Sequence, residues 1–427
     1  MAVGRTVSAL GVDLTPWRAS ASFRRLYVAG FVTALGGQAT YVTVPYQLKA
    51  LTNSPLVVGT LGLVELVPIV VLGLWGGLLA DRVDRRRLIV ILEASTLVAL
   101  GGLVVNALVP SPQVWALYVA DVAVVGIGAL QQPSIGALNQ TYVSHDLQRA
   151  AAALATIRQT AASILGPALG GLAAVAFGPA VAYEANLVTL ALSLALLVTL
   201  APSPPRGDRA TSSGAALREG VAYVRSRPDL LGTYTIDVLA MVLAYPVVML
   251  PFVAADFHRT YALALLYCAL PIGALLATVT SRWTHRVHHY GRAVVAAAGV
   301  WGLGVALFGA TSSLWWAMIG LIVGGGADAV SGIFRTTMWN ESIPLEVRGR
   351  MAGIELISYS IGPTGGQFRA GVMARWVGLR ASLSLGGLAC TGSVAAAAVG
   401  LRALWGFDAR HDGHVAALRA SRAASLE

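Results

Sequence analysis

Charge is scarce in this chain. Asp, Glu, Lys and Arg make up 12% of its 427 residues, about half the share usual in soluble domains. Hydrophobic residues make up 56%, and the mean hydropathy is +0.70. That balance excludes both a soluble globular protein and a disordered one. Cysteine is nearly absent. Cys268 and Cys390 lie in apolar runs without a CxxC or CxxH context, so neither a disulfide framework nor a zinc site is indicated. His285, His288 and His289 share a basic loop without metal-ligand spacing, and no metal is expected. The GGG at Gly324 lacks the Lys-Ser/Thr that would follow in a phosphate loop, and Ser163 and Ser331 have no His/Asp partner at a persuasive spacing. An enzyme, an ATPase and a bound cofactor are thereby set aside.

What is present is length in apolar runs. Twelve of them, each about 20 residues or more, suffice to cross a hydrocarbon core of about 30 Å at about 1.5 Å per residue. They lie near residues 26–51, 57–80, 88–109, 114–138, 151–177, 181–200, 230–254, 262–281, 293–311, 314–339, 351–373 and 379–404, and are numbered here as spans one to twelve. The expected architecture is an all-α membrane protein. Residues 1–25 form a basic segment, 26–200 a first six-helix half, 201–229 a linker, 230–405 a second six-helix half and 406–427 a polar tail expected to be mobile. Within the linker, Leu217, Val221 and Val224 share one face of a predicted amphipathic helix. The net charge of +10 would suggest nucleic acid in a soluble protein. Here only Lys49, Arg259, Arg375 and Arg380 fall in outer loops and Arg158, Arg335 and Arg369 in spans; the rest lie in inner loops or tails. Both termini are therefore expected in the cytoplasm, with membrane lipid rather than nucleic acid as the partner.

The loop between spans two and three reads GGLLADRVDRRRL, from Gly76 to Leu88. It resembles the loop motif of the major facilitator superfamily, GxLADRxGRRxxL, through Gly77, Leu79, Ala80, Asp81, Arg82, Arg85 and Arg86, and departs from it at Asp84. The ADRxDRRR form is similar to an exporter branch that includes enterobactin and macrolide efflux proteins. The resemblance implies twelve helices in two six-helix halves. It also implies a cytoplasmic gate in which Asp81 caps the inner end of span eleven, taken to begin at Met351, while Arg82 and Arg85 supply neighbouring contacts. The glycine pair Gly76 and Gly77 would admit a close helix neighbour.

An internal repeat supports two halves. Asn139 and Asn340 are 201 residues apart, as are Arg149 and Arg350, and GPALGG (Gly166, Pro167, Gly170, Gly171) is paralleled by GPTGG at Gly362 and Pro363. A proline removes a helix hydrogen bond while glycines open a groove, so both segments predict bendable packing surfaces. The first copy also resembles the core of the antiporter signature of exporting family members.

Ionisable residues inside spans are the default functional candidates. Asp237 lies in span seven; Asp328 and Arg335 are seven apart on one face of span ten. Glu65, Asp121 and Arg158 form a second tier for the substrate cavity or proton coupling, and Glu93, Arg158 and Glu355 lie nearer the expected inner face. Burial disfavours the charged form of an acid and a neighbouring guanidinium favours it, an opposition that lets substrate and proton exclude each other. The reading is proton-coupled antiport, by alternating access, of bulky amphipathic small molecules such as antibiotics or siderophores. It is placed in a bacterial cytoplasmic membrane and expected as a monomer. Uptake or lipid flipping by the same fold, and a non-transporting membrane sensor, remain as alternatives.

Overall fold

The computed structural model describes residues 13–204 and 213–424. Expectations for residues 1–12, for 205–212 of the linker and for the last three residues lie outside them. The described chain is helical, without a strand among the described residues. Among the described residues, ten helical segments are long and apolar enough to cross a membrane: Pro55–Arg82, Arg85–Leu108, Val114–Thr141, His145–Phe177, Pro179–Val198, Pro228–Asp256, Ala262–Val279, Tyr290–Ala310, Leu314–Ser342 and Leu379–Gly400. Spans one and eleven fall on Ala21–Thr52 and Leu345–Val377, helices of 32 and 33 residues. Those two are long enough but carry more charged and amide side chains. The exposed surface is rich in large apolar groups, among them Val98, Trp376 and Val399, which a lipid environment accepts without cost. Exposed Trp115, Trp315, Trp316 and Trp376 sit at helix ends, where amphipathic rings anchor at the headgroup level.

The chain divides into two compact units, Met1–Leu51 with Val67–Ala210, and Thr52–Leu66 with Thr211–Glu427. In the first unit the polar stripe of span one meets span six. Tyr183 donates its hydroxyl to Gln47 Oε1 at 2.9 Å, and Asn186 donates to Thr40 Oγ1 at 2.7 Å. Span five packs on span one through its GPALGG segment: a Cβ at Gly166 would stand 2.7 Å from the Leu35 carbonyl, too close for any other residue. Span two approaches span four at Gly76, where a Cβ would meet the Leu130 carbonyl at 2.5 Å. Gly77 faces open space, so only one of the expected glycine pair makes the contact.

In the second unit the other copy of the motif does the same. Gly362 lies against Met241, so span eleven packs on span seven as span five packs on span one. The first turns of span two belong here as well, with Gly59 against Gly371. The repeat extends to a pair of turns. Gly178, between spans five and six, has φ 93° and ψ 163°; Gly378, between spans eleven and twelve, has φ 84° and ψ 157°. That region is open essentially to glycine alone, and each residue starts the next helix.

Two expectations are corrected and one is refined. Span seven is not continuous: its helix stops at Ala244, a 3₁₀ turn covers Val247–Met249, and a short helix follows from Leu250 to Asp256. Pro246 causes the break, because it offers no N–H to the Val242 carbonyl and disfavours helical geometry at Tyr245, whose ψ is 114°. Span eleven begins at Leu345, after Pro344, so Met351 lies inside the helix and has no free N-terminal N–H groups. The tail, as far as Ala424, is packed rather than loose: Gly413–Ala424 is helical with Val415 fully buried. Arg422 donates to the carbonyls of Asn340 and Ile343 at 3.0 and 2.9 Å, and the Ser342 carbonyl takes both Tyr223 of the linker helix and His414 of the tail.

Candidate functional site

The second unit contains a cavity of about 370 Å³ lined by Asp237, Tyr245, Trp301, Asp328, Arg335 and Tyr359, among others. Five spans contribute to its walls. Helical side chains lean towards the N-terminus of their helix, so Arg335 reaches back along span ten towards Asp328, two turns before it. Its Nη2 lies 3.7 Å from Asp328 Oδ1, and its Nη1 forms a close ion pair with Asp237. The two acids differ in setting. Asp237 and Arg335 have side chains only about 5% and 4% exposed, whereas Asp328 is 40% exposed and open to the cavity. Ser358 donates to Asp237 Oδ2 at 3.3 Å, and the Tyr359 ring stands 5.9 Å from the Arg335 guanidinium carbon.

Neighbouring packing fixes this arrangement. Trp339, one turn after Arg335, donates its indole N–H to Thr233 at 2.9 Å and stacks on Tyr234 at 4.9 Å between ring centres. Span ten is thereby pinned to span seven one turn from the Asp237 pair. Gly325 lies directly against the Leu270 backbone, so spans eight and ten touch beside Asp328. One arginine shared by two carboxylates is the outcome. Neutralising either acid changes the balance of forces on the guanidinium, and with it the link between spans seven and ten.

The remaining candidates lie elsewhere. Glu65 is half-buried on span two and Asp121 buried on span four, and neither lines this cavity. Arg158 and Glu93 share a different cavity in the first unit, and Glu355 is half-buried on span eleven. In the loop motif, Asp81 is exposed and 3.6 Å from Arg85, which is buried and also donates to the Ala80 carbonyl. Arg82 is exposed. Asp84, the departure from the motif, caps the span-three helix by accepting from the Arg87 N–H at 2.8 Å, and accepts the Ser203 N–H at 2.9 Å. Sequence reasoning missed Trp301, Ser358 and Tyr359. The polar run Ser358–Tyr359–Ser360 inside an apolar span was the available signal for two of them. Among the described residues no cluster of His, Cys, Asp and Glu could hold a metal ion.

Comparisons with known proteins bear on this geometry. The family model of the Major Facilitator Superfamily matches residues 26–366. The enterobactin exporter EntS of Citrobacter koseri is 26% identical over 350 residues, which cover 80% of this chain and 83% of the exporter. That of Salmonella typhi is 26% identical over 347 residues with the same coverage. Among solved structures, a POT family transporter in complex with 5-aminolevulinic acid superposes with a TM-score of 0.72 at 10% identity, over 90% of this chain and 97% of its own. The nucleoside transporter NupG gives 0.66 at 16% identity, over 91% and 100%. With a family model matched over most of its length and an all-helical membrane fold shared with these transporters, the chain belongs to the Major Facilitator Superfamily and is a transporter rather than an enzyme.

Proposed function

We propose that this transporter exports bulky amphipathic small molecules from the bacterial cytoplasm in exchange for protons, with both termini cytoplasmic and Asp237, Arg335 and Asp328 forming the coupling site. The observation that carries the reading is the single guanidinium held between two acids on one cavity. A proton arriving on Asp328, the exposed acid, weakens its hold on Arg335; one arriving on Asp237 frees Arg335 from span seven. A cationic substrate competes with the proton for the same carboxylate, the exclusion that antiport needs. The direction of transport follows the relatives, which are named as exporters, and the antiporter-like GPALGG segment.

Proteoliposomes test it. Uptake of cationic dyes, macrolides or siderophores against an imposed proton gradient is measured for wild type and Asp237→Asn. Opposed proton and substrate fluxes, both lost in the variant, support the assignment. Substrate flux that ignores the gradient in wild type refutes proton coupling and leaves a facilitator or lipid flippase.

A further inference from the structure

The first unit contains a second, smaller cavity of about 180 Å³, walled by polar groups of spans one, three, four, five and six and by the apolar side chains of Leu26, Ile89, Ile135 and Leu197. Its acid is already satisfied. Glu93 is 1% exposed, and its two oxygens accept from the Thr33 hydroxyl at 2.7 Å and the Gln131 amide at 2.9 Å. Both donors are neutral, so nothing in this arrangement commits the carboxylate to a cation.

Arg158, on the wall of the same cavity, is in the opposite condition. No carboxylate lies within ion-pair distance of it among the described residues. Its Nε is buried without a hydrogen-bond partner. The guanidinium stands 5.6 Å from the Tyr27 ring centre, and Gly30 makes room for it: a Cβ there would overlap Nη1 and stand 2.9 Å from Cζ. The slot positions the fork and leaves its Nε unmet. A second group on the wall is also unmet, since Ser193 is 1% exposed and its Oγ is buried with no partner. Two unmet polar groups and a planar cation beside branched apolar side chains define what would fit. The complement is a carboxylate, which the guanidinium fork matches bidentately, on a flat apolar body. The volume falls below the range of about 300 to 1,000 Å³ typical of pockets that enclose a whole drug-sized ligand, so this cavity suits one end of a larger molecule.

We propose that the Arg158 cavity is a subsite for an aromatic carboxylate group of the transported molecule. The inference rests on the transport reading and names part of its substrate chemistry: the transported molecule carries this carboxylate besides the cationic group that competes with the proton at Asp328. Arg158 grips the carboxylate, Ser193 completes the hydrogen bonding, the apolar side chains of Leu26, Ile89, Ile135 and Leu197 receive the ring, and Glu93, tied to Thr33 and Gln131, excludes a second anion.

Calorimetry on the purified full chain in nanodiscs, with benzoate as the probe and its neutral isostere benzamide as control, tests the proposal. Benzoate is expected to bind at least about tenfold more tightly than benzamide, the worth of one charge-assisted contact. Arg158→Gln should abolish that preference and Arg158→Lys retain part of it. Gly30→Ala keeps the arginine but fills its slot, and is expected to weaken benzoate about tenfold with an unchanged melting midpoint; it serves as the test should Arg158→Gln fail to fold. Equal binding of the two probes to wild type, or benzoate binding indifferent to both Arg158→Lys and Gly30→Ala, overturns the subsite. Because the assay needs no flux, its failure alongside Asp237-dependent antiport leaves the transport reading intact. Arg158-dependent binding without any flux sinks that reading instead.

Discussion

The break in span seven provides a prediction that can be worked through to a number. In an unbroken helix the Val242 carbonyl would accept the N–H of residue 246, but that residue is proline. An arginine from span eleven substitutes for the missing donor. Arg369 Nε lies 3.3 Å from the Val242 carbonyl and Nη1 3.0 Å from that of Ser382, and Gly386 leaves the space, since a Cβ there would stand 2.5 Å from Nη1. Replacing Arg369 by Met leaves a carbonyl bare in apolar surroundings, which costs about 1–3 kcal/mol. The loss is partly offset because a half-buried cation without a carboxylate partner among the described residues is removed as well. Replacing Pro246 by Ala restores the N–H and relieves its clash with the same carbonyl. In that background the Val242 carbonyl no longer needs Arg369, which keeps its bond to the Ser382 carbonyl. Unfolding of the wild type, Arg369→Met, Pro246→Ala and the double variant in nanodiscs should therefore give a coupling of about 1–2 kcal/mol, with the arginine loss far milder when alanine occupies 246. Effects that add to within about 0.5 kcal/mol would show that the two residues act independently and would refute the substitution argument. Flux should fall in Pro246→Ala even as stability rises, because Met241, in the last turn before the break, and Tyr245, at the break itself, line the Asp237 cavity.

Other consequences follow from the same geometry. Arg335→Met alone strands the buried Asp237 and should cost about 3–5 kcal/mol, whereas Asp237→Leu leaves Arg335 its contact with Asp328 and should cost less, and adding Asp237→Leu to Arg335→Met should recover part of the loss; melting midpoints decide, and a double variant as damaged as the sum of the singles would contradict the pairing. Gly76→Ala should lower the midpoint because of the Leu130 carbonyl, whereas Gly77→Ala, facing open space within a helix, should be neutral or raise it through helix propensity, worth about 1 kcal/mol. Gly378→Ala should cost about 1–3 kcal/mol for its positive φ, a loss absent in Gly392→Ala, which is helical and uncrowded. In the tail, hydrogen bonds from the Arg410 N–H and His411 hold the Asp408 carboxyl below its ordinary value of 3.8. A depressed carboxyl stabilises above its unfolded pKa and loses that contribution as pH falls through the folded one. Amide protection over Gly413–Ala424, taken relative to the intrinsic exchange rate at each pH, should therefore hold from pH 7 to 5 and fall only below about 4; protection lost already near pH 6 would contradict the assignment.

What the sequence made legible were features carried by local chemistry. Apolar run length marks spans because hydrocarbon leaves the backbone no other partner, and the spacing of Asp328 and Arg335 puts them on one face because a helix repeats every 3.6 residues. The pairing of Arg335 with Asp237 was not legible, since it depends on how spans seven and ten are rotated about their axes, and no periodicity fixes a rotation when a helix is apolar almost all round. The same uncertainty hid Trp301 and which of Gly76 and Gly77 makes the close contact. The break at Pro246 was within reach: a proline in the middle of an apolar run always leaves one carbonyl without a donor. Its partner Arg369 was visible too, as a charge in a span with nothing nearby in sequence to pair with. Read together, an orphaned acceptor and an unpaired donor in the same half of a membrane protein are two deficits that neither lipid nor water can fill. Arg158 and Ser193 are the same kind of deficit in the first unit, an unmet N–H and an unmet hydroxyl; the chain supplies its own partner at Val242, whereas the proposed subsite leaves that part to a ligand at Arg158.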